Sequence, residues 1–226
     1  MPADTKTTPA IADQAALARL GAAVRARLAA DPSVYALPDP RAEVFTVNDF
    51  LSAAECRRLI ALIDQVARPS PVYGDREDTS YRTSFSGDVD PDNSFVKMIE
   101  RRICDLMGID QRWSETFQGQ RYEPGQEFRA HYDAFETTGT YWPDEARRGG
   151  QRSWTAMAWL GTVDEGGSTD FPRLGIGFPP QPGMLLMWNN ALPDGTLNPD
   201  VLHAGMPVVR GTKYVITKWF RTRRWT

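Results

Sequence analysis

The alternation of apolar and polar positions divides the chain into a helical N-terminal part and a strand-rich remainder. Over residues 11–30, Leu17, Leu20, Val24 and Leu28 recur at helical spacing while Arg19, Arg25 and Arg27 fall elsewhere on the wheel. That spacing predicts one amphipathic helix, ended by Asp31-Pro32. A proline-containing connector over 33–42 follows, and Glu43–Val47 then alternates as a strand does. Ser52-Ala53-Ala54-Glu55 is a capping box, in which hydroxyl and carboxylate each satisfy a backbone N–H of the first turn. The helix it opens carries Leu59, Ile60, Leu62, Ile63 and Val66 to the core and is closed by Pro69 and Pro71. Residues 72–92 are polar and turn-rich, which predicts a mobile loop. Phe95, Met98, Ile99, Ile103 and Leu106 predict a helix over 94–107, stopped by Gly108.

From residue 115 the period shortens to two. Strands are predicted at Glu115–Tyr122, Phe128–Phe135, Ser153–Val163, Met184–Trp188, Val201–Ala204 and Lys213–Arg221. Pro172–Gly183 reads as a loop between strands, and 136–150 as a loop. Helices followed by many short strands predict an α+β, mainly β fold: a helical layer buttressing a β-sandwich or jelly roll. The expected organisation is an N-terminal helix and connector over 1–42, packed on one domain spanning 43–226.

With 26 basic and 29 acidic residues among 226, the net charge of −3 argues against a chain that coats nucleic acid or an anionic membrane. Arg221, Arg223 and Arg224 leave room for a local basic strip. Two cysteines exclude a disulfide framework and a four-thiolate zinc site, and Cys56 and Cys104 read as reduced core thiols. No apolar run approaches the roughly 18 residues of a membrane span. The Ala-rich N-terminus carries charge throughout, unlike a secretory signal, so a cytoplasmic location is expected.

The histidines are His131 and His203. Residues i and i+2 of a strand share a face, so His131 and Asp133 would present an imidazole and a carboxylate side by side. A third ligand from another strand would complete the two-histidine, one-carboxylate facial set of non-haem Fe(II) oxygenases, and His203 is the other histidine available. His-x-Asp alone is more often the mark of an ordinary surface or core histidine. Lys213, at the start of the last strand, either returns to the same pocket as a cation for a dicarboxylate or is a solvated strand lysine.

A series of ordered blocks then stands out. They are Arg121-Tyr122-Glu123-Pro124-Gly125-Gln126 with His131-Tyr132-Asp133, Gly150-Gln151-Arg152 with Thr155, and Glu165-Gly166-Gly167-Ser168-Thr169 with Phe171-Pro172. Pro182-Gly183, His203-Ala204-Gly205-Met206-Pro207-Val208, Gly211-Thr212-Lys213 and Lys218-Trp219 complete them. Over about Phe45 to Trp219 the chain resembles the catalytic domain of prolyl 4-hydroxylases, within the 2-oxoglutarate and Fe(II)-dependent dioxygenases. The resemblance implies a double-stranded β-helix of cupin-like jelly-roll type, with Fe(II), 2-oxoglutarate and O2 required and ascorbate as reductant. It implies His131, Asp133 and His203 as iron ligands and Lys213 as partner of the C5 carboxylate of 2-oxoglutarate. It places Tyr122 beside the cosubstrate, Thr155 in the wall of the same pocket, and Arg152 and Trp219 facing the substrate channel. The 72–92 loop matches a family segment that closes over the peptide. Each carries an ordinary alternative: Tyr122 and Trp219 as core aromatics, Arg152 as a surface ion pair.

Two positions depart from the family. Trp159 stands where relatives commonly have a tyrosine that reaches the cosubstrate, and Phe128 where they often have a tyrosine near the substrate. The expected reaction is hydroxylation of an unactivated C–H, on a prolyl residue of a protein or peptide, with release of succinate and CO2. Hydroxylation of a free amino acid or other small metabolite is the alternative. A non-enzymatic module on the same scaffold and nucleic-acid demethylation stand further off. No nucleic-acid or membrane partner is expected.

Overall fold

A strand with an apolar layer on each face has to be buried along its whole length, and three strands of this chain are of that kind. The structure is a computed structural model that describes residues 9–71 and 81–226. The chain runs α1 (Pro9–Ala30), β1 (Tyr35–Ala36), β2 (Val44–Val47), α2 (Ala53–Val66), β3 (Arg68–Pro69), β4 (Phe85–Asp88), α3 (Ser94–Met107), β5 (Gln118–Tyr122) and β6 (Phe128–His131). It continues through α4 (Trp142–Arg148), β7 (Arg152–Trp159), β8 (Glu165–Gly166), β9 (Thr169–Phe171), β10 (Ile176–Phe178), β11 (Leu185–Asn189), β12 (His203–Gly205), β13 (Val208–Arg210) and β14 (Lys213–Arg221). An antiparallel eight-stranded sheet has the order β1-β2-β11-β7-β14-β5-β4-β3, and a four-stranded sheet the order β10-β9-β12-β6. The pair β13-β8 makes a small third sheet.

The buried strands are β7, β11 and β14. On β7, Trp154, Ala156 and Ala158 enter one core layer while Met157 and Trp159 enter another. β11 divides Leu185 and Met187 from Leu186 and Trp188, and β14 divides Ile216 and Phe220 from Val215. The first layer is shared with the helices, through Val24 and Leu28 of α1, Leu59 and Ile63 of α2, and Ile99 and Ile103 of α3. The second lies between the sheets, with Phe171, Val201 and Val208. This is the expected jelly roll with a helical buttress.

The capping box of α2 forms as read: Ser52 N–H donates to Glu55 Oε2 at 2.8 Å and Glu55 N–H to Ser52 Oγ at 3.3 Å. α3 ends on Gly108, whose φ of 69° suits a residue without a Cβ. α1 buries Leu17, Val24 and Leu28, and its Asp13 accepts a hydrogen bond from Thr222 Oγ1 at 2.8 Å. Cys56 and Cys104 are free and buried, and burial pushes the Cys104 thiol up to about 12.

Several expectations are corrected. The 72–92 segment is not all loop: β4 pairs with β5 inside it, and residues 72–80 lie outside the described residues. The buried position of β4 is Ser86 rather than an apolar residue, so no alternation announced the strand. β10 lies within Pro172–Gly183, and α4, with proline in its first turn, within 136–150. β6 stops at His131 and β7 at Trp159, short of Phe135 and Val163. Arg221 is not part of a surface strip. It is fully buried, paired with Glu115 at 2.8 Å and Glu145 at 2.6 Å. Among the described residues, no helix is long and apolar enough to cross a membrane.

Candidate active site

The end of β6 and the start of β12 are paired, with His131 directly opposite His203. That register sets the two imidazoles side by side, their ring centres 4.2 Å apart and their planes tilted by 56°. Each ring turns its Nδ1 to a carbonyl two residues back, to Arg129 O at 2.8 Å and Val201 O at 3.0 Å. With Nδ1–H donating there, Nε2 keeps its lone pair for another partner. The chain bends after His131, so Asp133 reaches the same point from just beyond the strand rather than from within it. His131 Nε2 lies 3.9 Å from Asp133 Oδ1, and His203 Nε2 lies 3.7 Å from Asp133 Oδ2. One ligand atom from each of the three residues fits within 4.8 Å of the others, a spacing that could hold a metal ion.

The electrostatics suit ligation. Burial, with His203 adjacent, drops the His131 imidazole to about 3, so it stays neutral at ordinary pH. Burial pushes the Asp133 carboxyl up, but the two imidazoles, Arg152 and Thr155 outweigh that and hold it below the usual range. Phe128 stacks on His131 with ring centres 3.5 Å apart, and Trp188 meets His203 edge-on at 4.8 Å. A cavity lies between the sheets beside this cluster. His131, Asp133 and His203 line it together with Lys213, Tyr122 and Trp219.

Lys213 opens β14 opposite Tyr122 of β5 and is only 2% exposed. Its Nζ donates to Ser168 O and Thr169 Oγ1, each at 3.3 Å, and lies 5.2 Å from the Tyr122 ring centre. Among the described residues no carboxylate lies within ion-pair reach of it. Burial drops its ammonium to about 7. Tyr122 donates its hydroxyl to Gln120 Oε1 at 2.7 Å, and burial pushes its ionisation up.

Two expected residues, and Trp159, sit elsewhere. Thr155 is not in the cavity wall. It stands behind Asp133, fully buried, and donates to Asp133 Oδ2 at 2.6 Å. Arg152 also lies outside the wall, paired twice with Glu115 at 2.7 Å and stacked 4.0 Å from the ring centre of Trp219, which does line it. Trp159 packs between the sheets opposite Val215, away from the wall. Sequence reasoning passed over Gln120, Thr169, Trp188 and Thr217 in the wall and Asn190 behind it. For Thr217 a signal existed: on β14 it shares a face with Lys213 and Trp219.

Comparison with known proteins adds an independent line. The 2OG-Fe(II) oxygenase superfamily matches residues 117–221. "Probable prolyl 4-hydroxylase 3" of Arabidopsis thaliana is 34% identical over 207 residues, covering 80% of this chain and 69% of its own. The viral collagen prolyl hydroxylase of Paramecium Bursaria Chlorella virus-1, solved as a 2OG complex, shares 27% identity at a TM-score of 0.62, over 79% of this chain and 95% of its own. A Pseudomonas putida prolyl-4-hydroxylase has the same fold, with a TM-score of 0.56 at 23% identity over 90% of this chain and 99% of its own.

Proposed function

The chain belongs to the 2OG-Fe(II) oxygenase superfamily and, within it, to the prolyl 4-hydroxylases, and we propose that its substrate is a prolyl residue of a protein or peptide, hydroxylated at C4. Fe(II), 2-oxoglutarate and O2 are the requirements of that superfamily. In this reading His131, Asp133 and His203 hold the iron and Lys213 takes the far carboxylate of 2-oxoglutarate. When bound, iron and cosubstrate supply the oxidising chemistry that places one oxygen atom of O2 on an unactivated carbon and releases succinate and CO2.

The residues present fit those groups. Two imidazoles and one carboxylate are a donor set for ferrous iron that leaves positions open. The observation that carries the reading is the buried ammonium of Lys213 in the wall that the three ligands share, without a direct ion pair among the described residues. A buried charge without a direct partner is costly, and a dicarboxylate whose other end meets the metal would relieve it. Tyr122 and Thr169 confine that end of the cavity. Trp219 and Phe128 wall the other parts, and Arg152, held by Glu115, stiffens Trp219 from behind.

Anaerobic titration of the protein with Fe(II) and then 2-oxoglutarate tests the centre without a known substrate. A visible metal-to-ligand band should grow to one equivalent in the wild type and be missing in His131→Ala and in His203→Ala. An unchanged band in either variant would remove that residue from the ligand set. Succinate release across a panel of proline peptides and free amino acids then decides the substrate, and turnover confined to free amino acids would refute the peptide assignment.

A further inference from the structure

Each oxygen of Asp133 faces one imidazole, Oδ1 toward His131 and Oδ2 toward His203. Nothing in the three ligands alone decides whether the carboxylate would meet a metal with one oxygen or with both. A second row of side chains makes the two oxygens unequal. Thr155 on β7 is fully buried and places Oγ1 2.6 Å from Asp133 Oδ2. Asn190, just past β11 and 1% exposed, donates Nδ2 to that same Oγ1 at 3.1 Å. A hydroxyl has one proton to give. With the amide donating into its lone pair, the Thr155 proton is committed to Asp133. Asn190 is itself fixed by its backbone, its N–H on Ser153 O at 2.8 Å and its carbonyl accepting from Asn198 N–H at 3.0 Å.

Resting on the metal-centre reading above, we propose that Asn190 and Thr155 are positioning residues: a one-way hydrogen-bond relay that ties down Oδ2 and leaves Asp133 a one-oxygen ligand through Oδ1. The hydrogen bond is charge-assisted and dry, the kind that sets carboxylate orientation most firmly. A carboxylate confined to one oxygen leaves one more coordination position open than a chelating one. Outer partners of this kind usually change metal affinity by about 10–100-fold when removed. The direction of the relay matters as much as its presence, because an acceptor at position 190 would draw the Thr155 proton away from Asp133.

The test uses the full chain with Co(II) as the probe, whose visible absorption reports the number of bound ligands. Affinity is read by titration, and the metal-free protein is followed by thermal unfolding. Thr155→Val should weaken Co(II) binding by about 10–100-fold and change its absorption spectrum. Thr155→Ser, which restores the hydroxyl, should return both toward wild type. Asn190→Asp should reproduce the spectral change with Thr155 intact. Wild-type affinity and spectrum in Thr155→Val would overturn the relay, as would a variant that loses thermal stability and nothing else. Co(II) binding to the wild type that His131→Ala leaves unaltered would instead overturn the metal centre itself.

Discussion

At the scale of the residue, Lys213 carries the most consequence. Among the described residues no carboxylate pairs directly with its ammonium, and burial, offset only in part by the charge of Asp170, drops it to about 7 against an ordinary value of 10.5. Binding a carboxylate requires the charged form. Below about pH 7 the empty site already has it, whereas above that value binding must take up a proton. The dissociation constant for 2-oxoglutarate in the Fe(II)-loaded protein should therefore be flat below about pH 7 and rise by up to about tenfold per unit above it. His131, held at about 3, titrates far below this window and does not blur it. Lys213→Arg, whose guanidinium stays charged throughout, should bind less well but with a flat profile. Isothermal titration at a series of pH values checks this, and a flat wild-type profile above pH 7 would show that Lys213 is not the carboxylate's partner.

At the scale of the element, what could be read in the sequence was whatever a local stretch decides for itself. The capping box of α2, the glycine stop of α3 and the full span of β14 are all set by neighbours within a turn or a strand. The clustering of His131, Asp133 and His203 was legible for a related reason, since two histidines leave few combinations. β4, β10 and α4 were not, because each owes its form to a distant partner or to a short run with no alternation. The contacts of Thr155 were hidden likewise, because its partners lie 22 and 35 residues away in the chain. α2 shows how such partners constrain sequence. It lies so close to the eight-stranded sheet that a Cβ at Gly87 of β4 would stand 2.4 Å from Val66 O. Backbone cannot yield as a side chain can, so Gly87→Ala should destabilise by about 1–3 kcal/mol, measured by urea unfolding. Wild-type stability would mean that α2 does not press on β4 in solution.

At the scale of the whole molecule, the helices and the sheet are locked by charge as well as by apolar contact. Lys218 of β14, 1% exposed, pairs with Glu100 of α3 inside the helix-facing layer. Its position on that face is why it does not reach the cavity that Lys213 lines. Removing one partner of a buried pair leaves the other charge stranded, so Glu100→Leu should cost about 3–5 kcal/mol in chemical denaturation. Adding Lys218→Met should recover most of that loss, and no recovery would mean that Glu100 works through Ser114 and Gln111 instead. The alternation that separates these two lysines has a further effect. Six residue steps along one extended segment set Lys213 and Trp219 about 20 Å apart, like marks on a ruler. A single inserted residue between them would turn one mark outward, together with every side chain between the insertion and that mark. Evolution can therefore re-tailor this enzyme for new targets by lengthening its surface loops, but it has almost no latitude to change the length of that ruler.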